Sequence, residues 1–162
     1  MNIRMTTPDD LPRVLAIYEH AREQMRRNGN PTQWGASWPP EPLLREDVRV
    51  GRSYLVVDGA EICGVFVFFV GEDETYRKID GAWLNDERYG VLHRIASAGI
   101  RPGVLRAALD FCEARVDNMR VDTHPDNAIM RKLLTRFGYT PCGIIYVRED
   151  SYPRIAFQKK LR

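Results

Sequence analysis

Apolar and polar positions alternate along this chain with two periods, and the switches between them mark out the elements. "MNIRM" reads as an opening strand. Thr7 is a suitable N-cap, with Pro8 at the first helical position and Asp9 and Asp10 in the first turn. Leu11, Val14, Leu15, Tyr18 and Met25 then recur at helical spacing, which predicts a helix over about residues 8–27. "NGNPTQWGASWPPEP" is loop chemistry, and "EPLLREDVRVG" carries a short second helix. In "SYLVVDGAEICGVFVFFV" two β-rich runs meet at Asp58-Gly59, so a hairpin with a type I′ turn is expected, and Gly64 inside its second strand suggests a bulge. "GEDETYRKIDGAWLNDERYG" is a polar connection with a short strand near Trp83, and "VLHRIAS" is a further strand.

The second half alternates helix and strand before it closes. A helix over about 103–116 shows the stripe Leu105, Ala108, Leu109, Cys112 and Val116, with Arg106 and Asp110 paired on its outer face. "MRVDT" is a strand. "PDNAIMRKLLTRFG" is a helix with Met130, Leu133, Leu134 and Phe137 on one face and Gly138 as its C-terminal glycine. "YTPCGIIYV" and "PRIAFQKKL" close the chain as two strands around the turn "REDSYP". No repeat, low-complexity tract or linker divides the chain. The expectation is therefore one α/β domain over residues 1–162, a mixed twisted sheet of about six to seven strands with helices on both faces.

Composition narrows the function. The chain has 162 residues, 44% hydrophobic and 28% charged, with a net charge of +2. That balance gives no argument for nucleic acid, and no apolar run is long enough for a bilayer, so neither partner is expected. Cys63, Cys112 and Cys142 are few, odd in number and set among apolar residues, which suits free thiols in a reducing cytoplasm. His20, His93, His124 and the cysteines show no ligand spacing, so no metal is expected.

The stretch "VLHRIASAGIRPGVLR" runs a strand through a short loop into a helix. A helix N-terminus presents unpaired backbone N–H groups and a partial positive charge, which suit a phosphate. Gly103 allows close approach, and Arg101 and Arg106 add charge; a plain strand-to-helix turn also favours Gly and Pro. The loop lacks the ending of a P-loop and the glycine pattern of a dinucleotide fold.

From residue 91 to "FGY" at 137–139 the order strand, loop, helix, strand, then Asn127 opening a helix with Leu133, Leu134, Gly138 and Tyr139, resembles the GNAT family of acyl-CoA-dependent N-acyltransferases. Residues 3–28 are similar to that family's opening strand and helix. The resemblance implies acetyl-CoA as co-substrate and a primary amine of a small molecule or peptide as acceptor; a cytoplasmic protein is the default, with a homodimer as a candidate partner state. It implies that Arg101, Gly103, Val104, Leu105 and Arg106 cradle the coenzyme pyrophosphate. The pantetheine arm would lie along Ile95, Ala96 and Ser97, and Asn127 would touch the coenzyme. Two departures stand out. The family loop reads Q/R-x-x-G-x-G/A, whereas Ile100 and Leu105 replace its polar first and small last residues. Leu134 stands where many members carry a tyrosine acid.

For the missing proton carriers the candidates are His93, Asp122 and Tyr146, with Arg94 and His124 beside them. Each has a plainer reading: a hydrogen-bonded histidine, a helix-capping aspartate or histidine, a packed tyrosine. Trp34, Trp38 and Trp83 fall in loops, near Asp80, Asp86 and Glu87, an arrangement that would suit a cationic amine as well as local packing. The alternative to an enzyme is a catalytically weak or inactive domain of this fold that binds acyl-CoA as a sensor or interaction module.

Overall fold

The computed structural model describes residues 1–147 and 152–162; most of the expected turn "REDSYP" lies outside them. The strands are β1 Asn2–Met5, β2 Ser53–Asp58, β3 Glu61–Val70, β4 Asp80–Gly81, β5 Gly90–Ser97, β6 Asn118–Thr123, β7 Thr140–Val147 and β8 Tyr152–Lys160. The helices are α1 Leu11–Arg27, α2 Glu41–Arg49, α3 Val104–Glu113 and α4 Ala128–Arg136. One eight-stranded sheet runs β1-β2-β3-β5-β6-β8-β7-β4. The strand beyond the expected count is two-residue β4, just before Trp83, pairing only Asp80 and Gly81 with β7.

The period of two places successive residues on opposite faces. Leu55 and Val65 turn to the face covered by α1 and α2, with Val14, Ile17, Tyr18 and Leu44. Val56 and Phe66 turn to the other face, with Leu105, Leu109, Cys112 and Leu134 from α3 and α4. Helix α4 ends in paired bonds from Gly138 N to Thr135 O and Tyr139 N to Leu134 O, with Gly138 at φ 91°, the expected C-terminal glycine motif.

The β2–β3 hairpin corrects one expectation. Asp58 pairs with Glu61, so Gly59 and Ala60 are the two loop residues. Only Gly59, at φ 60°, has a positive φ, which makes the turn type II′ rather than I′. The bulge expected at Gly64 lies beside it: β3 inserts Cys63 between the partners of Val56 and Val57.

One pairing shapes the functional end of the molecule. Strands β5 and β6 are the parallel pair, and they bond only over Gly90–Leu92 and Met119–Val121. Beyond Leu92, β5 stays with β3 and β6 stays with β8, so a gap opens between them. Within that stretch β5 carries an extra residue relative to β3, between the partners of Val65 and Val67. Arg94 sits there at φ 49°, the one described non-glycine residue with positive φ.

Candidate active site

The gap between β5 and β6 is open from both sides. On one side is a cleft of about 750 Å³ lined by Trp34, Trp38, Arg52, Phe69, His93 and Asp122, among others. On the other is a cleft of about 530 Å³ lined by His20, Ala96, Ser97, Gly99, Val104 and Leu105. Met25, Ile95, Asn127 and Met130 line both, so the two meet at the gap.

The smaller cleft ends at the start of α3. Gly103 caps the helix at φ 85°, and the first helical bond runs from Ala107 N to Gly103 O. The N–H groups of Val104, Leu105 and Arg106 therefore have no partner inside the helix. Gly99, at φ 77°, also borders the space; a Cβ there would come within 2.7 Å of His20 Nε2. Buried Asn30 lines the same cleft, and its carboxamide oxygen has no hydrogen-bond partner among the described residues. An elongated ligand with an anionic end and amide N–H groups fits these features.

The basic side chains expected here are engaged elsewhere. Arg101 reaches back to Asp58 at 3.1 Å and Glu61 at 3.5 Å on the hairpin. Arg106 lies along α3 on Asp110 and Glu113, over the ring of Phe137. Leu105 does double duty, lining the cleft while it packs in the core. Asn127 is a cap and a bridge. Its Oδ1 accepts from Met130 N at 3.1 Å, and its Nδ2 donates to Gln33 Oε1 at 3.0 Å.

In the larger cleft His93 stands between two carboxylates. Its Nε2 lies 2.5 Å from Asp73 Oδ2, and its Nδ1 lies 3.7 Å from Asp122 Oδ2. Asp73 caps a single 3₁₀ turn at Glu74–Tyr76, accepting from Thr75 N at 2.9 Å and Thr75 Oγ1 at 2.7 Å. Burial would raise the Asp73 carboxyl, but the hydrogen bond and charge of His93, with the Thr75 donors, hold it down at about 2. Asp73 is thus a carboxylate, and His93 Nε2–H donates to it. The Tyr76 hydroxyl donates to Asp122 Oδ2 at 2.6 Å. Burial, then the charge of Asp122, pushes that phenol well above its ordinary range, so it stays a donor. With Nε2–H on Asp73, the other ring nitrogen, Nδ1, faces the second carboxylate of the cleft, Asp122.

Of the sequence candidates, His93 and Asp122 are brought together. Tyr146 is not: it is exposed on β7, lines neither cleft, and its hydroxyl lies 3.3 Å from Asp80 Oδ2. Side chains alternate along a strand, and in β7 it is Val147 that turns to the cleft. His124 is also set aside. Its Nδ1 accepts from Asp126 N and its Nε2 meets Thr32 Oγ1, each at 3.0 Å, while burial, then Arg154, pushes its pKa down. Trp34 and Trp38 line the cleft, but Trp83 packs on Tyr76 and bonds its carbonyl. The acids of the cleft are Glu72, Asp73, Glu74 and Asp122 rather than Asp80, Asp86 and Glu87. Asp73, Tyr76 and Gln33 were missed; the Asp-x-Thr of "DET" is the one local signal, since it favours a side-chain-capped turn.

Neither a family sequence model nor a curated protein matches this chain. Solved structures do. An acetyltransferase of the GNAT family from Streptococcus agalactiae superposes with a TM-score of 0.88 at 26% identity, over 99% of this chain and 95% of that one. The chain has the GNAT fold. Two more distant structures share the fold. A GNAT-family acetyltransferase from Listeria monocytogenes has a TM-score of 0.70 at 17% identity, over 99% and 94% of the two chains. A ribosomal-protein-alanine N-acetyltransferase from Brucella melitensis has a TM-score of 0.62 at 19% identity, over 99% and 100%. Leu134 of this chain is wholly buried in the core against the α3 face, so no hydroxyl is offered from that position. Among the described residues no cluster of three or more His, Cys, Asp or Glu is arranged for a metal, and no helix is long and apolar enough to cross a membrane.

Proposed function

We propose that this protein is an acyl-CoA-dependent N-acetyltransferase that moves the acetyl group of acetyl-CoA to a primary amine of a small molecule or peptide. The observation that carries the reading is the meeting of two clefts through the split between β5 and β6, with an imidazole–carboxylate pair on one side. The smaller cleft takes the coenzyme: pyrophosphate at the α3 amides beside Gly103, and the pantetheine arm along Ile95, Ala96 and Ser97. The larger cleft takes the amine.

The chemistry follows from the residues present. Neutral amine nitrogen attacks the thioester carbon and the C–S bond breaks. The amine proton passes to His93 Nδ1 while Asp73 holds Nε2–H, and Asp122 faces the imidazolium that forms. The coenzyme leaves as a thiolate. Leu134 cannot protonate it, but a thiol with a pKa of about 8.5 is a fair leaving group without an acid.

Calorimetry and thermal unfolding with acetyl-CoA, NAD and ATP test the coenzyme site. Acetyl-CoA at a hundred times its dissociation constant should add about 2.7 kcal/mol of stability, and Gly103→Glu should abolish this while the fold persists. Stabilisation by NAD or ATP with none by acetyl-CoA overturns the assignment. Thiol release with a broad amine panel tests turnover. Coenzyme binding without thiol release from any amine would replace the enzyme by an acyl-CoA sensor.

A further inference from the structure

Charged side chains gather at two places in the acceptor cleft, which Glu74 and Arg154 also line. At one are His93 and the acids Asp73 and Asp122, with Glu72 engaged by Arg77 at 2.8 Å. Also beside Phe69 is a cationic centre. Asp47 of α2, with only 1% of its side chain exposed, accepts from Arg94 Nε at 2.9 Å and Nη2 at 2.8 Å, and from Arg52 Nε at 2.7 Å. Both carboxylate oxygens are thus occupied by Arg94, and Arg52 shares one of them. Two guanidiniums on one carboxylate leave an excess of one positive charge. Arg52 binds Asp47 through Nε, so its two amino groups are left over, and among the described residues neither has a hydrogen-bond partner. The side chain is 31% exposed and lines the cleft. Phe69 neighbours both centres: its ring is 5.9 Å from the Arg52 guanidinium carbon and 6.0 Å from the His93 ring.

A planar pair of unused N–H₂ groups on a partly dehydrated cation is a fork for a carboxylate. We infer that the acceptor is an amine that also carries a carboxylate, an amino acid in the broad sense. Its carboxylate is held by the outer amino groups of Arg52, its hydrocarbon part lies over Phe69, and its amine reaches His93. The inference rests on the acyl-transfer reading of the cleft and adds the class of acceptor to it. Asp47 has a positioning part here: it turns the Arg52 fork outward and holds Arg94 back.

The test compares each acceptor with the same amine lacking its carboxylate: phenylalanine against phenethylamine, leucine against isopentylamine, γ-aminobutyrate against propylamine. With acetyl-CoA saturating, at least one carboxylated member should exceed its partner in kcat/KM by roughly 10- to 100-fold, the range of a charge-assisted pair. Arg52→Gln should remove that preference, chiefly through KM, by bringing each carboxylated amine down toward its partner. Arg52→Lys, which keeps the charge and loses the fork, should fall between. Calorimetric titration of the same compounds into the coenzyme-loaded protein reads acceptor binding without turnover. Carboxylated ligands that bind wild type and not Arg52→Gln, with no thiol released, would retain the carboxylate site and overturn the transferase. Decarboxylated amines equal to or better than their partners, or an unchanged preference in Arg52→Gln, would overturn the carboxylate site and leave the transferase standing.

Discussion

His93 is an imidazole between two carboxylates, and the two do different work. Asp73 binds Nε2–H and fixes the tautomer, and Asp122 faces Nδ1. Loss of a positioned base lowers rates by roughly 10²–10⁴-fold, so His93→Gln should reduce kcat by that order while calorimetry shows acetyl-CoA binding unchanged. Tyr146→Phe should leave kcat within about twofold of wild type, a prediction from its place outside the cleft rather than from a general rule. Asp73 also bears on stability. Its carboxyl lies at about 2 in the fold, against about 3.9 in an unfolded chain. The folded state therefore holds this proton less tightly, and the contribution, about 2 kcal/mol, is complete above pH ~4 and is lost as the pH falls toward ~2. Urea unfolding across that window should show a steeper loss of stability for wild type than for Asp73→Asn.

At the scale of elements, the start of α3 is fitted to the bulged strand beneath it. A Cβ on Gly64 would lie 2.6 Å from Val104 Cγ1 and 2.9 Å from Ala96 O. Val104 is the first residue of α3, so anything that pushes on it moves the amides proposed to meet the pyrophosphate. Overpacking of this kind costs about 1–3 kcal/mol. Gly64→Ala should lower thermal stability by that amount and weaken acetyl-CoA binding. Val104→Ala in the same chain should recover part of both, since the side-chain clash is removed and the contact with the Ala96 carbonyl stays. The hairpin, the α3 stripe and the α4 terminus were legible because each is decided by neighbours in sequence. Gly59 misled only in the turn type, since Asp58 proved to be the last strand residue rather than the first of the loop.

Across the whole molecule, Asp47 joins parts distant in the chain. Its carboxylate on α2 binds Arg52 at the entry to β2 and Arg94 at the bulge of β5, where the Arg94 carbonyl also accepts from the Tyr18 hydroxyl of α1 at 2.6 Å. These contacts hold a non-glycine residue at φ 49°, a conformation that costs on the order of 1–3 kcal/mol by itself. Removing one partner of a buried pair costs about 3–5 kcal/mol, so Asp47→Ala should unfold at much lower urea concentration. Arg94→Gly in that background should return part of the loss, because glycine takes the positive φ without strain and leaves no buried cation behind.

The elements, their order, the two-sided sheet and the loop at the start of α3 were legible from the chain alone. Each of these rests on the periodicity of apolar residues or on turn and cap chemistry within a few positions. The sequence also singled out His93 and Asp122, from the strands that flank the split. Which polar residues share the cleft came from the packed fold. Asp73 lies 20 residues from His93, Asp122 lies 46 from Tyr76, and Asp47 lies 47 from Arg94. The packing also turned Arg101 and Arg106 onto acids, Tyr146 to the outer face of β7, and Leu134 into the core. The physical reason is that burial of an apolar stripe is specified by local pattern, whereas a charged side chain takes the nearest counter-charge that the packed sheet brings to it.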